Sequence, residues 1–378
     1  MKIIISPDSF KECLPAWKVA ESLATGWRNV LPNSHLVCLP VADGGEGTLD
    51  TLIHATEGTY YEKIVTGPLG EPVNARFGLL GNQPTAVIEM AQASGLECLT
   101  PAQRDPLRAT SFGTGELILA ALEHPIESII VCLGGSATND GGVGMMSALG
   151  AAFLDEHGNP VVQGGAGLSA IKEIDLSRLD PRLKQVKVIV ACDVTNPLTG
   201  SNGATQVFGP QKGATEDMLV RLEQGMGHYA RQLQRCCGRD IGAIPGAGAA
   251  GGTGAALLAF LDARLQPGID MVLEAIHYHE HLTYASLVIV GEGKMDKQSL
   301  NGKAPIGAAR MAQKMGVPVI AIAGYVEREL SALRECGIEA CFSVVNGPCD
   351  LPTALREGEV NLIQLGENLA GFYRAVLS

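Results

Sequence analysis

Apolar and polar positions follow two different periods along this chain, and the two alternate. Residues 2–6 (KIIIS) form a β-branched run that predicts a strand. From Ala16 to Val30 the apolar positions recur at helical spacing instead. Val19, Ala20, Leu23, Ala24 and Trp27 share one face, Pro15 suits the first turn, and Pro32 ends the helix. A second strand is expected over residues 36–41 and a second helix over 47–55. The same rhythm returns later, with strands at 286–290, 317–323 and 340–345 and helices at 303–315, 327–336 and 359–377. Strands and helices in turn are βα units, which build a parallel sheet in an α/β fold.

Between these stretches the texture changes. Residues 59–284 are rich in glycine loops, with strand candidates at 87–90, 128–133 and 186–191 and few long helices. This reads as an insertion. Residues 1–58 plus 285–378 would form a discontinuous Rossmann- or flavodoxin-like domain built from both termini, and 59–284 a second α/β domain, with the active site expected in a cleft between them. A length of 378 residues exceeds one ordinary core, which agrees with two domains. Hydrophobic content of 46% against 18% charged residues describes a well-buried globular chain.

Charge narrows the partners. A net charge of -12 argues against a nucleic-acid partner and against anionic membrane surfaces, both of which need clustered Lys and Arg. No run of 18 apolar residues occurs, Met1 and Lys2 lead straight into a strand, and the ten cysteines include no CxxC pair. A cytoplasmic protein with free thiols is the expectation. A homo-oligomer is compatible with all of this.

Polar clusters recur just after the expected strands. Asp8, Ser9 and Lys11 follow the first; Asp43, Gly44, Gly45 and Glu46, within VADGGEGT, follow the second. Gly134, Gly135, Ser136, Thr138, Asn139 and Asp140, within GGSATND, follow residues 128–133; Asp193 follows 186–191; Glu292, Lys294 and Asp296 follow 286–290. Ligands of open parallel sheets bind outside the carboxyl ends of strands. Each cluster alone could equally cap a helix or fix a turn; their coincidence favours a site. Acidic residues beside glycines suit Mg²⁺, and the loop 134–140, with backbone and hydroxyl donors ahead of a helix starting near Gly141, suits phosphate. Together they describe phosphoryl transfer, which needs positioning, charge neutralisation and a carboxylate to accept the acceptor's proton. Asp193, in CDVTNPLTG, is the expected base.

Familiar fingerprints are mostly absent. No Walker A motif exists, since Gly302 and Lys303 are followed by Ala304 and residue 297 is Lys. Gly246, Gly248 and Gly251 do spell G-x-G-x-x-G, the basis of an alternative reading as an NAD-dependent hydroxyacid dehydrogenase. The Gly-interrupted IGAIP before it makes a poor central strand, so a packing loop is the better reading. A binding protein for sugar acids or phosphate, without catalysis, is a further alternative. His277, His279 and His281 (HYHEH) lack a third ligand on one helical face and read as a solvated helix end. No G-x-S-x-G elbow is present.

At this point the chain resembles a known family, the bacterial glycerate kinases that phosphorylate D-glycerate with ATP. PDSFK at 7–11, ADGGEGT at 42–48, GTGEL at 113–117, GGSATNDGG at 134–142, CDVTNPL at 192–198, FGPQKGA at 208–214, PGAGAAGG at 245–252 and the Gly291 to Pro305 segment are similar to its signatures, in order and across nearly the whole length. The chain departs where the family commonly has Ser, at Cys13 and Pro15, and where Asp105 stands for Asn. The resemblance implies a two-domain, cytosolic, Mg²⁺-dependent phosphotransferase with an alcohol acceptor. By position, Lys11 and Lys303 would neutralise phosphate or the substrate carboxylate, Lys11 counting with Asp193 among the catalytic candidates. Asp8, Asp43, Glu46, Glu292 and Asp296 would serve the metal; Ser9, Gly44, Gly45 and the 134–139 loop would hold phosphate or substrate. Lys212, in PQKG, is either a member of this anion set or a surface lysine.

Overall fold

The computed structural model describes residues 1–296, 299, 303–327 and 331–377. The middle of the 291–305 signature, Lys297 and Gly302 included, and the start of the helix expected over 327–336 lie outside the described residues. The chain divides into two compact units. One comprises residues 1–43, 50–58 and 268–378, the other residues 44–49 and 59–267.

The first unit is built on a five-stranded sheet that is parallel throughout. Its order is Ile338–Ser343, Val319–Val326, Leu287–Met295, Lys2–Pro7, His35–Cys38. Counted within the unit, that is the flavodoxin-like order, and the direction of travel reverses between the first strand and Leu287–Met295. The helix Ala16–Val30 forms as its stripe predicts: Val19, Ala20, Leu23, Ala24 and Trp27 are all fully buried. They pack with Ile3, Ile5, Leu362, Leu365 and Leu369, the last three from the helix Gly358–Leu377. The unit resumes at Gly268 rather than near residue 285, because Gly268–Ala275 packs against the helix Ala304–Lys314. That stretch is not one helix running into the histidines. It breaks at His277, which takes a left-handed φ of 51° before a new turn at Tyr278–Leu282.

The second unit carries a six-stranded mixed sheet. Arg264–Gln266, Lys187–Ala191, Ser128–Cys132 and Thr85–Glu89 run parallel; Pro72–Leu79 and Thr59–Thr66 close the edge as an antiparallel hairpin. The hairpin turns through residues 67–71, where the Gly67 amide donates to the Glu71 carbonyl at 2.7 Å. Of its few long helices the longest is Glu216–Cys237, with 22 residues. Thr215 caps it by accepting from the Met218 amide, Gly238 ends it in left-handed geometry, and Leu222, Met226, Tyr229 and Leu233 bury one face.

The G-x-G-x-x-G run opens no βαβ unit. Residues 250–252 all have positive φ, and a Cβ on Gly251 would stand 2.1 Å from the Thr138 carbonyl oxygen. The glycines let this segment pack against the 138–141 loop, whose Gly141 amide donates to the Gly251 carbonyl at 2.9 Å. They leave the dehydrogenase alternative without its structural basis.

Candidate active site

In the first unit, the reversal of strand order sets the position of the candidate site. Pro7 pairs with Gly291 across the parallel ladder, and the Asp8 amide donates to the Gly291 carbonyl at 2.7 Å. The residues that follow, Asp8 and Glu292, therefore emerge together at the crevice between the two strands. A cavity of about 510 Å³ opens there, and Asp8, Ser9, Lys11, Asp43, Glu292 and Lys303 form its polar wall. With Lys294, which also lines the cavity, seven sequence-predicted residues, spread along the chain from Asp8 to Lys303, thus share one space.

Its electrostatics are unbalanced toward negative charge. The Asp8 carboxyl is pushed up to about 7 by burial first, then by the charges of Asp43 and Glu292, with hydrogen bonds from Ser9 opposing. The Ser9 amide donates to Asp8 Oδ1 at 2.6 Å. Glu292 is 5% exposed; its Oε2 accepts from Lys303 Nζ at 3.0 Å, whereas Oε1 is buried with no hydrogen-bond partner among the described residues. A buried carboxylate oxygen without a donor is costly, so this one calls for a cation or a ligand donor. Lys11 is exposed along the same wall.

Two of the acidic residues expected with them stand elsewhere. Asp296 does not line the cavity: its Oδ2 pairs with Lys294 Nζ at 2.9 Å, and it exchanges hydrogen bonds with Ser299. Glu46 is exposed on the segment 44–49, which belongs to the second unit. Among the described residues, no three His, Cys, Asp or Glu side chains converge tightly enough to cage a metal by themselves. The Asp8, Asp43 and Glu292 set is therefore looser than an all-protein metal cage.

In the second unit the loop after Ser128–Cys132 is held from within. A Cβ on Gly134 would stand 2.8 Å from the Gly45 Cα, so these two glycines meet backbone to backbone. Asp140 is fully buried and accepts from the amides of Ser111, Gly142 and Gly144 and from the Ser111 hydroxyl at 2.7 Å. The helix Val143–Ala148 thus has its first amides satisfied by Asp140 and, at Met145, by Ser111 Oγ, and it offers less to an anion than the sequence suggests. Anion-binding capacity lies one step earlier. Among the described residues, the amides of Gly134, Gly135 and Ser136 have no acceptor in the protein. Asn139 is turned inward, its Nδ2 donating to Thr205 Oγ1 at 3.1 Å, and Thr138 is buried.

Lys212 is not a surface lysine. Only 2% exposed, it donates from Nζ to Ser136 Oγ at 3.0 Å and to the Thr138 carbonyl at 2.7 Å. Burial lowers its pKa to about 7, against the pull of Asp140. It ties the loop in place. Asp193 stands exposed just past Lys187–Ala191. Sequence reasoning missed Ser111 and Glu89. Glu89, buried at the end of Thr85–Glu89, accepts from the Leu49 amide at 2.9 Å and anchors the 44–49 segment; a carboxylate closing an otherwise apolar strand was its available signal.

Known proteins carry the same arrangement of sequence. The model of the glycerate kinase family matches residues 3–374. A glycerate 2-kinase of Escherichia coli (strain K12) is 50% identical over 98% of this chain and 97% of its own length. A glycerate kinase of Bacillus subtilis (strain 168) is likewise 50% identical, over 98% of this chain and 97% of its own. The crystal structure of a glycerate kinase 2 candidate from Salmonella typhimurium LT2 superposes with a TM-score of 0.92 at 49% identity, covering 100% of this chain and 99% of that one. A dehydrogenase reading finds no support among these relatives. By family match, full-length identity and fold alike, the chain belongs to the glycerate kinase family.

Proposed function

We propose that this chain transfers the γ-phosphoryl group of ATP to the 2-hydroxyl of D-glycerate, with Mg²⁺ as cofactor. The observation that carries the reading is the crowding of Asp8, Asp43 and Glu292 at the strand-order reversal, flanked by Lys11 and Lys303. A carboxyl forced toward its neutral form and a buried carboxylate oxygen without a donor are what a hard divalent cation relieves. The donor set fits Mg²⁺, which prefers a few carboxylates plus water and substrate phosphates to an all-protein cage. Bound there, the ion would neutralise charge on the transferring phosphates.

The protein groups divide the remaining work. Lys11 and Lys303 bring point charges to the phosphates, with Lys303 already held by Glu292. Ser9 is at hand on the same wall. The unspent amides of Gly134, Gly135 and Ser136 form an anion cradle that Lys212, Thr138 and Asn139 hold in shape and that Gly44 and Gly45 back. Asp193 is the proposed base for the acceptor hydroxyl. The choice of the 2-hydroxyl is supported by the glycerate 2-kinase relative at 50% identity. Ten free cysteines fit a reducing cytoplasm, and among the described residues no helix is long and apolar enough to cross a membrane.

A coupled assay of ADP release, with and without D-glycerate, tests the reaction. Release that ignores glycerate would sink the reading. Phosphorus NMR of the product decides the acceptor, because a phosphate on C2 couples to one proton and a phosphate on C3 to two.

A further inference from the structure

The cavity at the strand-order reversal is larger and more apolar than a metal, phosphates and a three-carbon acid require. The same cavity is also lined by Tyr325, Val344, Val345, Leu351 and Leu355, contributed by the end of Val319–Val326, the segment after Ile338–Ser343 and the helix Leu351–Arg356. Tyr325 is 56% exposed and Leu351 67% exposed, yet both face this one space. A single exposed apolar residue is ordinary; an aromatic and several branched aliphatic side chains around one concavity are a built surface.

We infer that this apolar half is the site of the nucleoside of a magnesium nucleotide, whose phosphates reach the Asp8, Asp43 and Glu292 end of the same cavity. The inference rests on the proposed phosphoryl transfer and adds where the donor sits. Three properties of the cavity point to one ligand. Its volume of about 510 Å³ suits a drug-sized molecule, and glycerate would leave most of it as apolar wall against water. Glycerate is also polar at every carbon and has nothing to place against Val345, Leu351 and Leu355. A nucleotide has one flat apolar end and one polyanionic end. The cavity has one aromatic and aliphatic end, and one end where Lys11 and Lys303 stand beside carboxylates suited to Mg²⁺. Glu292, 93–95% buried on the wall of this cavity and carrying an Oε1 without a hydrogen-bond partner among the described residues, marks the charged end as made for a ligand.

Cys13 joins the two halves. Its Sγ donates to the Leu355 carbonyl at 3.2 Å, and a Cβ on Gly358 would lie 2.3 Å from that sulfur. The thiol thereby seats the apolar helix against the turn that follows Asp8.

The test is calorimetric titration of Mg-ADP into the full chain and into the double substitution Tyr325→Ala with Leu351→Ala. Both side chains are largely exposed, so the fold does not depend on them. The expected result is a loss of Mg-ADP affinity of about tenfold or more, from the apolar contact removed. The KM for ATP should rise in step while the KM for glycerate stays at the parent value. Unchanged Mg-ADP affinity in the double variant, no Mg-ADP uptake by the parent, or a rise confined to the KM for glycerate would each overturn the assignment. The two readings fail separately. A parent that binds Mg-ADP through this wall but makes no phosphoglycerate refutes the proposed reaction alone, and a parent that makes phosphoglycerate with a double variant that binds normally refutes the nucleoside site alone.

Discussion

Asp8 and Glu292 stand side by side because Pro7 pairs with Gly291: one parallel ladder contact brings Asp8, just past its strand, next to Glu292, which is still paired with Ala323 on its other side. The Asp8 amide, donating to the Gly291 carbonyl, holds them there at the expense of mutual repulsion. Burial first, and the charges of Asp43 and Glu292 after it, disfavour the ionised Asp8 carboxyl, so this pair has measurable consequences for stability.

The first concerns stability against pH. The Asp8 carboxyl has a folded pKa of about 7, above its ordinary value of 3.8. Its contribution to stability is therefore fully present below 3.8 and is lost as pH rises through 7. Thermal melts in chelator should show the parent losing stability across that window. Asp8→Asn should flatten the decline and melt higher than the parent at neutral pH, while losing Mg²⁺-dependent turnover. A parent curve with no such decline would show that neither burial nor the neighbouring carboxylates raise the Asp8 carboxyl.

Lys212→Met should unfold at lower urea concentration, by about 2–4 kcal/mol, because the change strips the Ser136 hydroxyl and the Thr138 carbonyl of their donor inside a buried site and leaves Asp140 without a nearby cation. Turnover should fall even in the fraction that stays folded, since the 134–138 loop loses its tether. An effect under half a kilocalorie, roughly that of a typical surface change, would show that Lys212 does not hold the loop.

Asp193→Asn should lower kcat by a factor of about 10² to 10⁴ and leave the KM for glycerate near the parent value, as expected for a base that acts mainly in the transition state. Steady-state kinetics on the folded variant decide this. Full turnover would move the base elsewhere.

Lys11→Ala should weaken binding of phosphate-bearing ligands without altering the fold, because the side chain is exposed at the cavity wall. The loss should shrink as salt is raised from low ionic strength, since an exposed charge is screened within a Debye length. Equal KM values for ATP and glycerate in variant and parent at low salt would dismiss the role.

Local patterns announced local structure. The stripe from Val19 to Trp27 is buried as its spacing requires, and the corners at Asp8, Asp43, Gly134 and Asp193 lie just past strands, whereas Glu292 and Lys294 fall inside Leu287–Met295, a strand that runs five residues beyond its expected end at 290. Asp8, Asp43, Glu292, Lys11 and Lys303 could be named from sequence because each sits within a few residues of an apolar run. Their meeting could not, because it depends on Lys2–Pro7 pairing with Leu287–Met295, a contact between segments 284 residues apart in register. The position of Lys212 was hidden for a related reason. A lone lysine between Gln and Gly looks solvated, and only the packing of the 134–140 loop around it makes it buried. Likewise, the helix amides behind that loop looked available until Ser111 and Asp140, 29 residues apart, were brought together to satisfy them. The apolar wall with Tyr325 and Leu351 left no periodic trace, since its members come from three short segments.

The pairing of Lys2–Pro7 with Leu287–Met295 also orders events at the ribosome. Residues 59–267, with the short segment 44–49, emerge as a self-contained unit and can collapse while the later strands are still untranslated. The opening strand and its neighbour His35–Cys38 must wait through all of that synthesis for their central partner. A nascent chain stalled before residue 287 therefore carries Asp8, Asp43 and two strands of the sheet but not the central strand that brings Glu292 beside them, and this carboxylate-rich corner waits for that strand.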